Sequence, residues 1–187
     1  MAAHEMAAAA RTPSDAALVA RVVAGERESY AELVRRYQTP LYRFARGMGL
    51  DGDAAQDAVQ DALVTAYTRL RECREPDRFR FWLFRILRNR CLDGQKGERR
   101  RTARSEALRL ESDDAHTPPL ELRLTLAQAL AALPEPMREA FLLKHLEGYG
   151  YDEIAEITGA GVSAAKMRVH RAREALRAAL LEVEPSK

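Results

Sequence analysis

The segment from residue 150 to residue 179, GYDEIAEITGAGVSAAKMRVHRAREALRAA, most constrains how this chain can fold. It reads as a short helix, a turn containing Gly159 and Gly161, and a longer basic helix, which is the pattern of a helix-turn-helix. We expect Asp152 to begin the first helix and Ser163 to cap the second. The segment therefore predicts a helical domain whose second helix can enter the major groove of DNA.

The second helix of this pattern has an apolar stripe and a basic face. At 100° per residue the stripe is formed by Ala165, Val169, Ala172, Leu176 and Ala179. The candidate DNA-binding residues are Ser163, Met167, His170 and Arg171 opposite the stripe, Lys166, Arg173 and Arg177 on one flank, and Arg168 on the other. A polar line between positive flanks suits a helix that reads base edges and holds phosphates. The alternative is a solvated basic face on an ordinary bundle helix.

Composition predicts an all-α fold, because alanine, leucine, arginine and glutamate dominate and β-branched runs are absent. The chain is expected to form two small helical domains joined by a flexible basic linker, with the helix-turn-helix in the C-terminal one. No apolar run approaches a membrane span, and the first residues lack a signal-peptide core. We therefore expect a soluble, cytoplasmic protein without membrane insertion.

Shifts in composition divide the chain into four segments. These are a disordered tail at 1–13, an N-terminal helical domain at 14–94, a linker at 95–119 and the helix-turn-helix domain at 120–182. The expected helices of the N-terminal domain run from Ser14 to near Gly25, from about Glu28 to Gly47, from a cap at Asp53 to Leu70, and from about Arg78 to Asp93. Pro40 is expected to kink or split the second of them.

Charge is unevenly distributed along the N-terminal domain and the linker. Residues 78–104 contain ten basic side chains and two acidic ones, whereas residues 50–61 contain four aspartates and no cation. Such polarity marks separate surfaces for separate partners. The polar side of the acidic helix, formed by Gln56, Asp57, Gln60 and Asp61, would repel DNA and is better suited to a protein partner. An ordinary core helix would explain the apolar side of the same segment.

The fourth helix carries a second candidate nucleic-acid site. Trp82, Arg85 and Asn89 share the face opposite a core stripe, and Arg78, Arg88 and Lys96 lie beside them. That stripe is Leu83, Phe84, Leu87 and Cys91. An indole, guanidinium groups and an amide can together stack on unpaired bases, hold phosphates and read a base edge. The alternatives are packing for Trp82, a capping role for Asn89 and a solvated face for the arginines.

The residue types of enzymes and metal sites are sparse and scattered. Cys73 and Cys91 are far apart and belong to no CxxC motif, so reduced thiols without zinc are expected. The four histidines are His4, His116, His145 and His170, and none has metal-ligand or nucleophile spacing around it. We therefore expect no cofactor, no metal and no catalytic site.

Several motifs resemble the extracytoplasmic-function sigma factors of bacterial RNA polymerase. Residues 55–61, AQDAVQD, are similar to the AEDLVQE-type segment of that family, and residues 82–89, WLFRILRN, to its WLYRIARN motif. The C-terminal motifs LPE at 133–135, YDEIA at 151–155 and KMRVHRAR at 166–173 follow in the family's order and spacing. The resemblance covers roughly residues 15–180.

The resemblance implies a role for each candidate surface. Gln56, Asp57, Gln60 and Asp61 would bind core RNA polymerase at the clamp helices of its β′ subunit, with β also in contact. The −10 promoter element would be bound as separated strands by Arg74, Asp77, Arg78, Trp82, Arg85, Arg88 and Asn89. The recognition helix would bind the −35 element as duplex, and an anti-sigma protein would hold the chain inactive.

The chain also departs from the family pattern. Cys73-Arg74-Glu75-Pro76 stands where the family often has Phe-Arg-Gly, so a different pocket for the displaced base is expected. Met167 and His170 are uncommon in the family's recognition helix, so no −35 sequence can be transferred. A plain helix-turn-helix regulator, with the N-terminal bundle as a dimerisation or ligand module, is the competing hypothesis. It predicts a stable dimer and operator binding without polymerase, and the lack of a long apolar seam argues against it.

Overall fold

The computed structural model describes residues 12–98 and 120–181, with side chains omitted for 94–98 and 120–123. Within these ranges the chain forms eight α-helices and two 3-10 turns and no strand, so the predicted all-α class is confirmed. Residues 1–11 of the expected disordered tail and residues 99–119 of the expected linker lie outside the described residues. We refer to residues 12–98 as the N-terminal half and to residues 120–181 as the C-terminal half.

The N-terminal half consists of four helices. They are α1 (Asp15–Val23), α2 (Ser29–Gly47), α3 (Gly52–Thr68) and α4 (Phe79–Glu98), and the 3-10 turns Leu70–Glu72 and Pro76–Arg78 join the last two. Helix α1 begins where expected, and Ser14 caps it, because its hydroxyl accepts a hydrogen bond of 3.2 Å from the Ala17 amide. The helix boundaries follow the sequence expectation closely, except that α4 continues past Asp93 to Glu98.

Two local expectations for this half need correction. The cap of α3 is Asp51, whose carboxylate accepts a hydrogen bond of 2.8 Å from the Ala54 amide, and Asp53 lies in the first turn. Pro40 does not split α2, which runs through it as one helix, and a kink at Pro40 stays a prediction. Proline removes one helical hydrogen bond, and here the burial of Tyr37, Leu41 and Phe44 on either side of it keeps the helix continuous.

The C-terminal half contains α5 (Leu120–Ala132), α6 (Glu135–His145), α7 (Tyr151–Thr158) and α8 (Val162–Leu181). Gly159 ends α7 with φ of 68°, the left-handed conformation that glycine adopts without strain. Two helices of this half begin at residues other than those expected from the sequence. Helix α7 begins one residue before Asp152, and α8 begins at Val162, so Ser163 lies in its first turn and does not cap it.

The two halves share one apolar core within the described residues. The stripe of α4 is buried as expected, and Leu143, Ile154, Ala165 and Val169 of the C-terminal half continue the same cluster. A smaller cluster of Leu130, Leu133, Ala172 and Leu176 joins α5, α6 and α8. The halves therefore pack directly against each other.

Helix α1 supports the segment that precedes α4. Asp15 accepts hydrogen bonds from the Tyr37 hydroxyl and the Arg36 guanidinium, which tie α1 to α2. The Tyr37 ring in turn packs 5.8 Å from the Phe79 ring at the start of α4, and α1 contacts the 3-10 turn Pro76–Arg78. The position of that turn thus depends on α1.

Membrane insertion was not expected from the sequence. Across the two described ranges, every helix is too short or too polar to cross a bilayer.

Candidate nucleic-acid interfaces

Helix α8 presents the expected basic face. Ala165, Val169, Ala172 and Leu176 are buried, and Ala179 is half-buried, so the predicted stripe is the core side. On the outer face Ser163, Lys166, Met167, His170, Arg171, Arg173 and Arg177 are exposed, and Arg168 is half-buried on one flank. The sequence therefore separates the outer face of α8 from its core side correctly.

The chemistry of the α8 face suits duplex DNA. The Met167 side chain is 50% exposed and supplies a flexible apolar surface of the kind that contacts thymine methyl groups. The Arg173 guanidinium lies 3.9 Å from Glu174, and an ion pair so exposed is weak, so it does not oppose phosphate binding. The Lys166 ammonium lies 5.8 Å from the centre of the Tyr151 ring. Long cationic side chains therefore lie on both sides of a central line of shorter polar and apolar side chains.

Helix α4 presents a smaller exposed face. Arg85 and Asn89 are exposed on α4, and Arg74 and Asp77 are exposed on the segment before it. The Trp82 side chain is half-buried, with its ring 6.1 Å from the Phe79 ring. Trp82 therefore takes part in packing and still offers part of the indole to a partner.

Three further arginines, one in the turn before α4 and two in α4, are paired with carboxylates of the C-terminal half. The Arg78 guanidinium lies 2.9 Å from Glu156, and Arg88 donates to Glu139. Arg80, which the sequence analysis did not single out, lies 3.0 Å from the Glu147 carboxylate. These acids are distant from α4 in sequence, so only the tertiary arrangement brings them to it.

The expected partner-binding face of α3 is open to solvent. Gln56, Asp57, Gln60 and Asp61 are all exposed. Beside them lies an apolar groove of about 760 Å³ between α2 and α3, which the sequence analysis missed. Its walls include Tyr30, Val34, Tyr42, Val59, Leu63 and Tyr67, and Gln56 and Gln60 stand at its border. The sequence signal that could have revealed this groove is the pair Val64 and Tyr67, two apolar residues next to the apolar stripe of α3. Their side chains are 56% and 38% exposed.

Both cysteines are buried and unpaired with each other. Burial raises the pKa of the Cys73 thiol, and it raises the pKa of the Cys91 thiol to about 12. Both thiols are therefore protonated and unreactive near neutral pH.

In the part of the chain that the structure describes, the histidine, cysteine and carboxylate side chains form no group that could hold a metal ion. His145 lies against the Phe141 ring at 4.6 Å, and burial together with Lys144 lowers its pKa.

Comparison with known proteins matches two family models to separate parts of the chain. The family model "Sigma-70 region 2" matches residues 33–104, and the model "Sigma-70, region 4" matches residues 123–176. The chain is 33% identical to the ECF RNA polymerase sigma factor SigM of Mycobacterium tuberculosis, over 87% of this chain and 83% of that protein. It is 30% identical to the ECF RNA polymerase sigma-E factor of Escherichia coli, over 87% of this chain and 92% of that protein.

Two solved structures agree with these matches. One is CnrH in complex with the cytosolic domain of CnrY, with a TM-score of 0.71 and 31% identity over 92% of this chain and 100% of that chain. The other is the sigma factor RpoE of Bartonella quintana with the anti-sigma factor NepR, with a TM-score of 0.69 and 28% identity over 84% of this chain and 99% of that chain. Because the similarity spans both halves in sequence and in fold, the chain belongs to the extracytoplasmic-function sigma factors of bacterial RNA polymerase.

Proposed function

We propose that this chain is a dissociable subunit that gives RNA polymerase its promoter specificity, with one surface for each of three contacts. Helix α3 and its groove bind core polymerase, α4 and the segment before it bind the −10 element as separated strands, and α8 binds the −35 element as duplex. The observation that carries the proposal is that the chain has two basic helical faces of different chemistry, on α4 and α8, and an exposed acidic face without cations on α3. A sigma factor of this kind has no active site, and it acts in the cytoplasm, where polymerase and chromosome are.

The residue roles on α8 follow from exposure and spacing. Met167, His170 and Arg171 reach base edges from the middle of the outer face, and Ser163 does so from its first turn. Lys166, Arg168 and Arg173 hold phosphates on the two sides. Their exposure on one side of a single helix supports this assignment. The corresponding DNA-binding domain extends over residues 120–182.

The residue roles on α4 follow from the mixture of ring, amide and cation. Trp82 stacks on an unpaired base with the exposed part of its indole, and Asn89 reads a base edge. Arg74, Arg78, Arg85 and Arg88 hold the backbone of the separated strand, and Asp77 borders the pocket for a displaced base. The corresponding domain extends over residues 14–94, and residues 95–119 link it to the other.

The polymerase-binding role of α3 rests on the groove beside its polar face. A groove with aromatic walls and an amide border accepts an α-helix, so it suits the β′ clamp helices. Gln56, Asp57, Gln60 and Asp61 would form the polar edge of that contact. The structure of RpoE was determined with an anti-sigma factor, and we propose that this chain too is restrained by a protein of that class.

Reconstitution with core polymerase tests the proposal directly. Purified chain and core enzyme together should give promoter-directed transcripts from genomic templates, whereas either alone should not. Reversing two charges on the exposed face of α3, with Asp57→Arg and Asp61→Arg together, should weaken binding to core polymerase at least about tenfold. The matched control is Glu28→Arg, which reverses an exposed charge at the start of α2.

Two results would contradict the proposal. One is a purified chain that stimulates no template. The other is a stable dimer that binds an operator tightly without polymerase, which would favour the plain regulator.

A third check is the salt dependence of duplex binding. If about five cations of the C-terminal domain meet phosphates, the logarithm of affinity should fall against the logarithm of salt concentration with a slope of about −4 to −5.

A further inference from the structure

Met167 lies at the centre of the outer face of α8. At 100° per residue it stands almost directly opposite the buried stripe that begins at Ala165. Its side chain is 50% exposed, more than that of Val162, the other large apolar residue exposed in the first half of the helix, at 37%. An apolar side chain thus occupies the position of α8 that is farthest from the core.

The cations beside Met167 leave it uncovered. The Lys166 ammonium lies 5.8 Å from the centre of the Tyr151 ring, which places it on the side of α7. Arg168 is half-buried on the opposite flank. Cations at the two edges can hold phosphates while the central line of the helix stays open to a base edge.

Ala164 adds a second apolar surface next to Met167. It is exposed one turn earlier on the same side of α8, and Cβ atoms three residues apart on a helix are separated by about 5–6 Å. Because the Ala164 side chain ends at its Cβ atom, the space above it and beside the Met167 thioether is open. We call this small apolar surface, formed by Ala164 and Met167, the notch.

Glu174 limits the part of α8 that can face bases. It lies two turns after Met167 on the same central line and is exposed, with its carboxylate 3.9 Å from the Arg173 guanidinium. A carboxylate is unfavourable among DNA phosphates. The base-facing part of α8 therefore precedes Glu174 and includes the notch, at the end of the helix where recognition helices contact base edges.

The chemistry of the notch selects one kind of group on a base. Neither Ala164 nor Met167 can donate a strong hydrogen bond, so a polar base group placed against them loses water without compensation. In the major groove the apolar group on a base edge is the C5-methyl group of thymine. A thioether with several rotatable bonds adapts its shape to such a group.

We propose that the notch binds the C5-methyl group of one thymine in the −35 element, so that Ala164 and Met167 determine the base at that position. The inference rests on the proposed −35 role of α8. Burial of one methyl group should favour thymine about fourfold over the same base without the methyl group. The contact carries no charge, so this preference should not depend on salt.

Replacement of thymine by deoxyuridine tests the proposal, with the full chain assembled on core polymerase. The probe is a duplex with the −35 region of a promoter that the reconstituted enzyme transcribes, in which each thymine is replaced in turn. The replacement removes the methyl group and keeps every hydrogen-bonding group and phosphate. At one thymine we expect affinity, measured by fluorescence anisotropy, to fall about fourfold, with the same ratio at low and high salt.

Variants of the notch assign the effect to its residues. Met167→Ala should bind the thymine and deoxyuridine duplexes equally, within about 1.5-fold. Met167→Leu keeps the apolar volume and should retain most of the preference. Ala164→Gln covers the notch and should abolish the preference although Met167 is present. Both positions are exposed on a helix, so these changes should leave folding intact.

The matched control is His170→Ala, an exposed position on the same face but outside the notch. It should weaken binding to both duplexes and leave the ratio between them unchanged. A uniform loss of this kind distinguishes a general weakening of the DNA contact from loss of methyl recognition.

The outcomes separate this inference from the proposed function. The inference is overturned if no −35 thymine can be found whose replacement weakens binding, or if the preference persists in Met167→Ala. A preference that changes with salt also overturns it, because an apolar contact is not screened. In each of these cases the enzyme still transcribes its promoter, and the proposed function stands. A reconstituted enzyme that transcribes no template overturns the proposed function, and the inference falls with it.

Discussion

Helices α4 and α8 are both twenty residues long, both basic and both buried along one stripe, yet they hold their cations differently. The cations of α8 point to solvent, apart from the half-buried Arg168. Three arginines at α4 and just before it are instead paired with carboxylates of the other half. A run of arginines in a sequence thus predicts the capacity to bind phosphate, and the tertiary arrangement decides whether that capacity is available.

The largest expected effect falls on the exposed helix. Replacing Lys166 and Arg171 of α8 together with alanine should cost about 2–4 kcal/mol of duplex binding, because one phosphate contact and one base contact are lost. Fluorescence anisotropy with a −35 duplex measures this as a fall in affinity of about 30-fold or more. Arg21→Ala, at an exposed position in the last turn of α1, is the control. A loss of less than about twofold would show that α8 is merely a solvated face.

An intermediate effect is expected on the half-buried indole of α4. Trp82→Ala should weaken binding of the −10 strand to the reconstituted enzyme by about 1–3 kcal/mol, the contribution of stacking on one base. Trp82→Phe should recover most of the affinity, since a smaller ring still stacks. Thermal unfolding of the free chain shows how much of the loss is packing. If both variants lose stability and neither changes strand affinity, Trp82 serves only the core.

The smallest expected effect is on a buried thiol of α4. Burial and the Glu139 carboxylate of α6 raise the pKa of the Cys91 thiol to about 12. At pH 8 it is protonated and should react slowly with a thiol reagent. In Gly47→Gln, the added side chain meets Leu142 and should push α6 away, because a Cβ atom at residue 47 would lie only 2.8 Å from the Leu142 Cδ2 atom. The pKa of Cys91 should then fall toward its ordinary value, and its labelling should be a few-fold faster. Labelling of Cys73, which lies in the segment before α4, should stay the same and serves as the internal control.

Local patterns account for the parts of the fold that the sequence predicts well. The stripe of α8, the cap at Ser14 and the left-handed Gly159 depend only on neighbouring residues, so periodicity and turn chemistry suffice. The cap of α3 shows the limit of such rules. Asp51 and Asp53 are both suitable caps, and the burial of Leu50 just before Asp51 is a tertiary fact that sequence spacing does not contain.

Tertiary contacts account for the rest. The groove beside α3 depends on the distance between α2 and α3. The pairing of Arg88 with Glu139 depends on α6 lying next to α4. In a sequence, a charge can be compared only with its near neighbours along the chain, and Arg88 has few acids near it. Its partner lies beyond the segment expected to be a linker. The residues of the candidate site could thus be identified from the sequence. Whether each arginine is free or paired with a carboxylate could not.

The contact between α1 and the 3-10 turn Pro76–Arg78 has a consequence for the proposed −10 site. That turn borders the space proposed for a displaced base, and its position depends on α1, which carries none of the proposed DNA-binding residues. In the proposed function, a shortened or displaced α1 would therefore alter which −10 sequences are tolerated while every proposed DNA-facing side chain stayed the same.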